Sequence, residues 1–148
     1  MDTGVGQLPQ VNRELINLKT AMDSSGSTYG NFMDHFVENG LDADDVDTVF
    51  MTHMHFDHVG WNMKMENGVL IPTFPKAKYI GNTKDWNFFR NEPNAAEEYF
   101  YNPHPVEPLD KLGLLELVDD EFNLTGELKA ISTPGHTPGH MSILVSSQ

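Results

Sequence analysis

An α/β fold or a mixed α/β sandwich is the class this sequence predicts, and three observations carry the prediction. Short β-branched and aromatic runs recur, as in VDTVFMT over residues 46–52 and MSILVS over residues 141–146. Stretches with apolar residues at helical spacing lie between such runs. Turn signals such as Asn67-Gly68 and Thr125-Gly126 separate them. Strands and helices that alternate in this way imply one α/β domain over residues 1–148.

The elements follow in order. The opening MDTGVGQLPQ reads as a strand-to-helix turn with no strand ahead of it. Over residues 28–39, Phe32, Met33, Phe36 and Val37 share a helical face, and Gly40 stops the helix. LDADDV predicts a helical turn capped by Asp42, with further acids in its first turn. Residues 46–52 are nearly all apolar and predict a buried strand. Asn67-Gly68 joins a hairpin between residues 63–65 and 69–71. A strand follows over residues 77–80, and Asn82 or Thr83 caps a helix through KDWNFFR. Residues 93–100 predict a second helix, whereas residues 102–108 hold three prolines and predict irregular chain. Strands are expected over residues 114–118, 128–132 and 141–146, with PGHTPGH as the loop before the last.

Charge and composition narrow the function. Lys and Arg total 9 against 22 Asp and Glu, a formal charge of -13, which repels nucleic-acid phosphates and anionic membranes. The chain has no cysteine, so thiolate nucleophiles, disulfides and Cys-based zinc sites are excluded. No apolar run approaches the roughly 20 residues that span a bilayer. No basic segment followed by an apolar one opens the chain, which favours a cytoplasmic location. A small-molecule substrate is therefore expected, with no nucleic-acid or membrane partner and the oligomeric state open.

The chemistry concentrates in THMHFDHVGWN. His53 and His55 are two apart, and in extended chain such residues point to one side. Met54 and Phe56 would face the other way, into the core. Asp57 and His58 follow where the chain turns. Protonated together the imidazoles of this group would repel one another, and buried unpaired the four side chains would cost several kcal/mol. A shared cation resolves both problems, and imidazole with carboxylate suits Zn²⁺, Fe or Mn. Single histidines elsewhere carry a blander reading: His35 lies in a helical pattern and His104 between prolines.

A second group, TPGHTPGH, holds His136 and His140 four apart. On a helix that spacing would put both on one face, but Pro134, Gly135, Pro138 and Gly139 exclude a helix. The segment is a rigid loop able to hold one imidazole in place. With His53 and His55 it can supply the third nitrogen of a three-histidine zinc centre.

His53-Met54-His55-Phe56-Asp57-His58 and Gly135-His136-Thr137-Pro138-Gly139-His140 together resemble the metallo-β-lactamase-fold hydrolases. Asp2-Thr3-Gly4 is similar to that family's turn after an early strand. The branch most similar to THMHFDHVGWN and IPTFPKAKYI holds the quorum-quenching lactonases and methyl parathion hydrolase-like enzymes. The resemblance implies a four-layer αβ/βα sandwich with two metals, taken as Zn²⁺, at one edge of two facing sheets. It places His53, His55 and His136 on the first metal and Asp57 and His58 on the second, with His140 in a supporting place.

The resemblance also implies an aspartate bridging the two metals and a last histidine, both expected beyond Gln148, and opening strands expected before Asp2. The chain thus reads as an internal piece of a longer hydrolase, incomplete at both ends, that binds about one ion. Asp119 and Asp120 precede His136, so their order is wrong for the bridge. The implied reaction is attack by zinc-bound hydroxide on an ester, lactone or related bond, with Asp57 as a catalytic residue that steers a proton. The absence of G-x-S-x-G agrees with a reaction needing no protein nucleophile. Glyoxalase II-like thioester hydrolysis stands as the alternative, beside a metal-binding product without catalysis. Trp61, Trp86, Phe88, Phe89 and Tyr101 could wall a pocket, but their spacing suits core packing better.

Overall fold

Helix α1, Phe32–Glu38, buries Phe36 and ends where glycine allows it. Gly40 takes φ 75, its N–H donates to the Val37 carbonyl at 2.9 Å, and the Leu41 N–H reaches the Phe36 carbonyl at 3.1 Å. This paired bonding satisfies carbonyls that the helix end would otherwise orphan. The computed structural model describes residues 32–91 and 105–146. The expected helix over residues 93–100, the Asp2-Thr3-Gly4 turn, Tyr101 and His104 lie outside them.

Asp42 caps a 3-10 turn, Ala43–Asp45, by accepting from the Asp44 N–H. Strand β1 is Thr48–Phe50, and helix α2, Phe56–Val59, follows the histidine-rich segment. Strands β2, Met63–Glu66, and β3, Val69–Pro72, form the expected hairpin. Asn67 at φ 51 and Gly68 at φ 79 make its turn, and both take the left-handed backbone that suits the twist of paired strands. Strand β4, Lys78–Asn82, runs into helix α3, Thr83–Asn91. The Asn82 Oδ1 accepts from the Lys84 N–H at 2.8 Å, so Asn82 is the cap.

Several elements depart from the sequence reading, among them α2, which forms where a loop is expected. The regular part of β1 is shorter than residues 46–52, because Val46 still closes the 3-10 turn through its N–H to Ala43. Helix α4, Glu107–Lys111, occupies part of the stretch read as irregular. Its proline sits in the first turn, where a missing N–H does no harm, and Leu109 anchors it with 0% exposure. After β5, Leu115–Val118, an unexpected short strand β6, Glu121–Asn123, pairs with β7, Leu128–Ser132. β6 has one apolar residue among three, too little for periodicity to reveal. Strand β8, Met141–Val145, closes the sheet.

β1, β4 and β5 form a parallel sheet in the order β1-β4-β5, and β6, β7 and β8 an antiparallel one. Alternation along the parallel strands divides the core in two. Val49, Met51 and Tyr79 pack with Phe36, Trp86, Phe89 and Leu109 of the helices. Phe50, Ile80 and Val118 pack with Ala130 and Met141 of the antiparallel sheet. Full burial of such side chains is worth about 1.5–3 kcal/mol each. The Tyr79 hydroxyl accepts from the Phe74 N–H at 3.0 Å and lies 3.2 Å from the Asn62 carbonyl. Burial pushes its pKa up to about 12, so it stays a neutral tie between β4 and the hairpin. The chain is a mixed α/β fold, and no described helix is long and apolar enough to cross a membrane.

Candidate metal centre

Parallel strands leave their carboxyl ends on one side of a sheet, and side chains for chemistry gather there. The chain leaving β1 bends at Thr52 and passes through His53 to His55, whose own backbone is extended at φ -66 and ψ 148 before α2 begins. The second loop, between β7 and β8, comes alongside. The Met141 N–H donates to the Thr52 carbonyl at 2.8 Å, and the Thr133 N–H to the His140 carbonyl at 2.9 Å. Backbone bonds therefore set His53 next to the loop that carries His136.

His53, His55 and His136 each offer a nitrogen, and these atoms lie within 4.8 Å of one another. The His53 and His55 rings are 4.9 Å apart, while Met54 between them is fully buried on the opposite side. His55 Nδ1 and His136 Nε2 approach to 3.0 Å. The His58 ring lies tilted beside that of His53 at 4.3 Å between centroids, and Asp57 Oδ2 is 3.5 Å from His58 Nε2. Asp57 and His58 thus stand beside the three-histidine group rather than in it, with Asp57 the more exposed of the two. His140 comes within 5.2 Å of the His53 ring, and its Nδ1 lies 2.9 Å from the Thr133 hydroxyl.

Electrostatics favour neutral rings. His53 is lowered to about 4, first by burial and then by its histidine neighbours. His55 is also lowered, mainly by burial and His136, against the opposing pull of Asp57 and Asp85. Thr52 Oγ1 lies 3.1 Å from His53 Nδ1, while His53 Nε2 is buried with no hydrogen-bond partner among the described residues. A proton on Nδ1 bound to that hydroxyl leaves Nε2 as a buried lone pair, the form in which imidazole binds metal.

The donor set fits a small borderline cation. Two nitrogens on a tetrahedral zinc stand about 3.3 Å apart. The 3.0 Å approach of His55 and His136 therefore needs to open by only a few tenths of an ångström. Phe89 packs its ring edge-on to His55 at 5.7 Å, limiting that imidazole on its core side. Trp61, Trp86 and Phe89 are buried, as the core reading expects. A cavity of about 540 Å³ opens beside His53 and His58, with mixed walls: Asp47, Thr48, Thr52 and Thr125 line it together with apolar residues such as Phe50, Leu124 and Ile143.

One residue in this region had no functional reading in the sequence. Asp85, in the first turn of α3, is fully buried and touches both loops. Asp119 and Asp120 lie apart from the cluster, on the loop that Asn82 and Lys84 bind.

Comparison with known proteins agrees with this geometry. A family model described as the metallo-beta-lactamase superfamily matches residues 2–148. The N-acyl homoserine lactonase AttM of Rhizobium radiobacter is 32% identical over 109 residues, covering 72% of this chain. The chain spans only 38% of that relative's length. Among solved structures, a probable metal-dependent hydrolase from Staphylococcus aureus superposes with a TM-score of 0.76 at 21% identity, over 100% of this chain and 49% of its own. AidC, a dizinc quorum-quenching lactonase bound to a product, N-hexnoyl-L-homoserine, gives a TM-score of 0.70 at 20% identity, over 99% of this chain and 48% of its own. The fold, the histidine cluster and the matched family model lead to one statement: this chain belongs to the metallo-beta-lactamase superfamily.

Proposed function

We propose that the chain forms the metal-binding part of a hydrolase that opens an ester or lactone bond. The observation that carries this reading is the convergence of His53, His55 and His136 from two loops, with His53 Nε2 buried and unpaired among the described residues. In it, those three residues hold one ion, taken as Zn²⁺, and Asp57 and His58 face a second position. An ion held there would supply Lewis-acid chemistry, lowering the pKa of a water and polarising the scissile carbonyl. His53, His55 and His136 would hold and orient it, with burial keeping the His53 and His55 rings neutral. Asp57 Oδ2 is exposed enough to meet substrate and would take up and return the proton that moves during the reaction. The cavity beside His53 and His58, apolar at Phe50, Leu124 and Ile143 and polar at Asp47 and its threonines, has room for a small substrate. The similarity to AttM favours a lactone over a thioester.

The test is hydrolysis of N-acyl lactones, aryl esters and thioesters by the chain loaded with Zn²⁺ or Mn²⁺, followed by acid release. Lactone opening that disappears in His136→Ala and with chelator is expected, and Asp57→Asn should slow it while metal stays bound. Metal binding with no turnover of any substrate would overturn the hydrolase reading. That outcome would leave a metal-binding chain without catalysis, a reading favoured by Asp57 standing outside the three-histidine group.

A further inference from the structure

We infer that Asp85 is a positioning residue that locks the two histidine-bearing loops together and so presets the spacing of His53, His55 and His136. The inference rests on the metal-site reading above. Asp85 Oδ2 accepts from the Met54 N–H at 3.2 Å and from the Thr137 hydroxyl at 2.9 Å. Asp85 Oδ1 accepts from the Gly139 N–H at 2.6 Å. Met54 is the residue between His53 and His55, Thr137 directly follows His136, and Gly139 directly precedes His140. One carboxylate therefore grips the middle of each loop.

Two further observations separate this from ordinary helix capping. A carboxylate at the third position of a helix commonly turns back to the helix's own first amides. Here Asn82 serves the Lys84 N–H, and both Asp85 oxygens point outward to the loops. Gly139 is also sized for the clamp: a Cβ there would fall 2.5 Å from the Asp85 backbone nitrogen and against the Asn82 side chain. The contact exists only because that position carries no side chain. Asp85 itself has 0% exposure. A buried carboxylate persists where several donors satisfy it, and those donors are then held in turn. Hydrogen-bonded to amides on both loops, it fixes where the imidazoles stand before any ion arrives.

The test measures metal affinity in the 148-residue chain by competition with a chromogenic chelator, together with the visible spectrum of the Co²⁺ form. Asp85→Ala should weaken Zn²⁺ binding by about tenfold to a hundredfold, as loss of a supporting partner typically does. Asp85→Asn, which keeps one acceptor but turns a donor toward the loop donors, should fall between. Thr137→Val, which removes one of the three bonds, should show a smaller loss and a shifted Co²⁺ band. Val106→Ala, a core change away from the loops, serves as the control for lost stability alone. It should lower Tm and leave affinity and band unchanged. Wild-type affinity and an unchanged band in Asp85→Asn and Thr137→Val would overturn the inference, as would an equal affinity loss in Val106→Ala. A wild-type chain that binds no metal would overturn both the metal reading and the clamp, whereas normal wild-type binding with indifferent Asp85 variants sinks the clamp alone.

Discussion

Removing metal should expose a pH dependence of stability that His53 dominates. Its folded pKa lies at about 4 against 6.5 for the free side chain, first because of burial and then because of the surrounding histidines. Between those values the unfolded chain binds a proton that the folded chain refuses, so stability rises with pH across the window. The contribution is complete above 6.5, declines as pH falls through 6.5, and levels off below about 4. From about pH 7.5 to about pH 5 the linkage amounts to at most about 2 kcal/mol. It is an upper figure because the cluster opens to solvent on its His136 side, where that residue is exposed. His55 is shifted in the same direction and adds to the slope. The assay is a series of urea melts in excess chelator, repeated on His53→Leu, which removes the titrating ring. A shallower slope in the variant is expected. A metal-free protein whose unfolding free energy is flat over this window, or whose slope survives unchanged in His53→Leu, would refute the reasoning.

Other changes have distinct signatures. Asn82→Ala loses the acceptor for the Lys84 N–H and the donor to the Asp119 carbonyl, and should lower stability by about 1–2 kcal/mol in denaturant melts. Gly139→Ala must push its new methyl into Asn82 and Asp85, so about 1–3 kcal/mol of stability should go together with weaker Zn²⁺ retention on dialysis. Tyr79→Phe strands the buried Phe74 N–H, at about 1–3 kcal/mol by thermal melting, and should leave Zn²⁺ affinity intact because the hydroxyl serves the hairpin side of the sheet.

What could be read from sequence was what depends on near neighbours. The alternation of His53, Met54 and His55 predicts two imidazoles on one side and a buried methionine on the other, and the structure has that arrangement. Gly40, Asn67-Gly68 and Asn82 are turn and cap chemistry, decided within a few residues. Asp85 was invisible for the opposite reason. Its partners lie 31, 52 and 54 residues away, and an acid in the first turn of a helix already has a sufficient local explanation. Phe89 illustrates the same limit: its spacing marks it as core, and only the folded chain shows the ring also abutting His55. Helix α4 was hidden by prolines that signal irregular chain except at a first turn.

The 81-residue separation of His55 and His136 makes an ion at this point a cross-link as much as a reagent. Closing a loop of that length in the unfolded ensemble removes entropy worth about 4.5 kcal/mol on the scale used for disulfides. The chain has 0 cysteines, so no disulfide can supply that constraint. His53 and His55 are adjacent enough to capture an ion before the sheet has formed, while His136 can join only after β7 and β8 have come into place beside Thr52. Coordination in that order would make the ion a late fastener of the folding chain, binding weakly to its first two nitrogens and tightly only once the distant loop arrives.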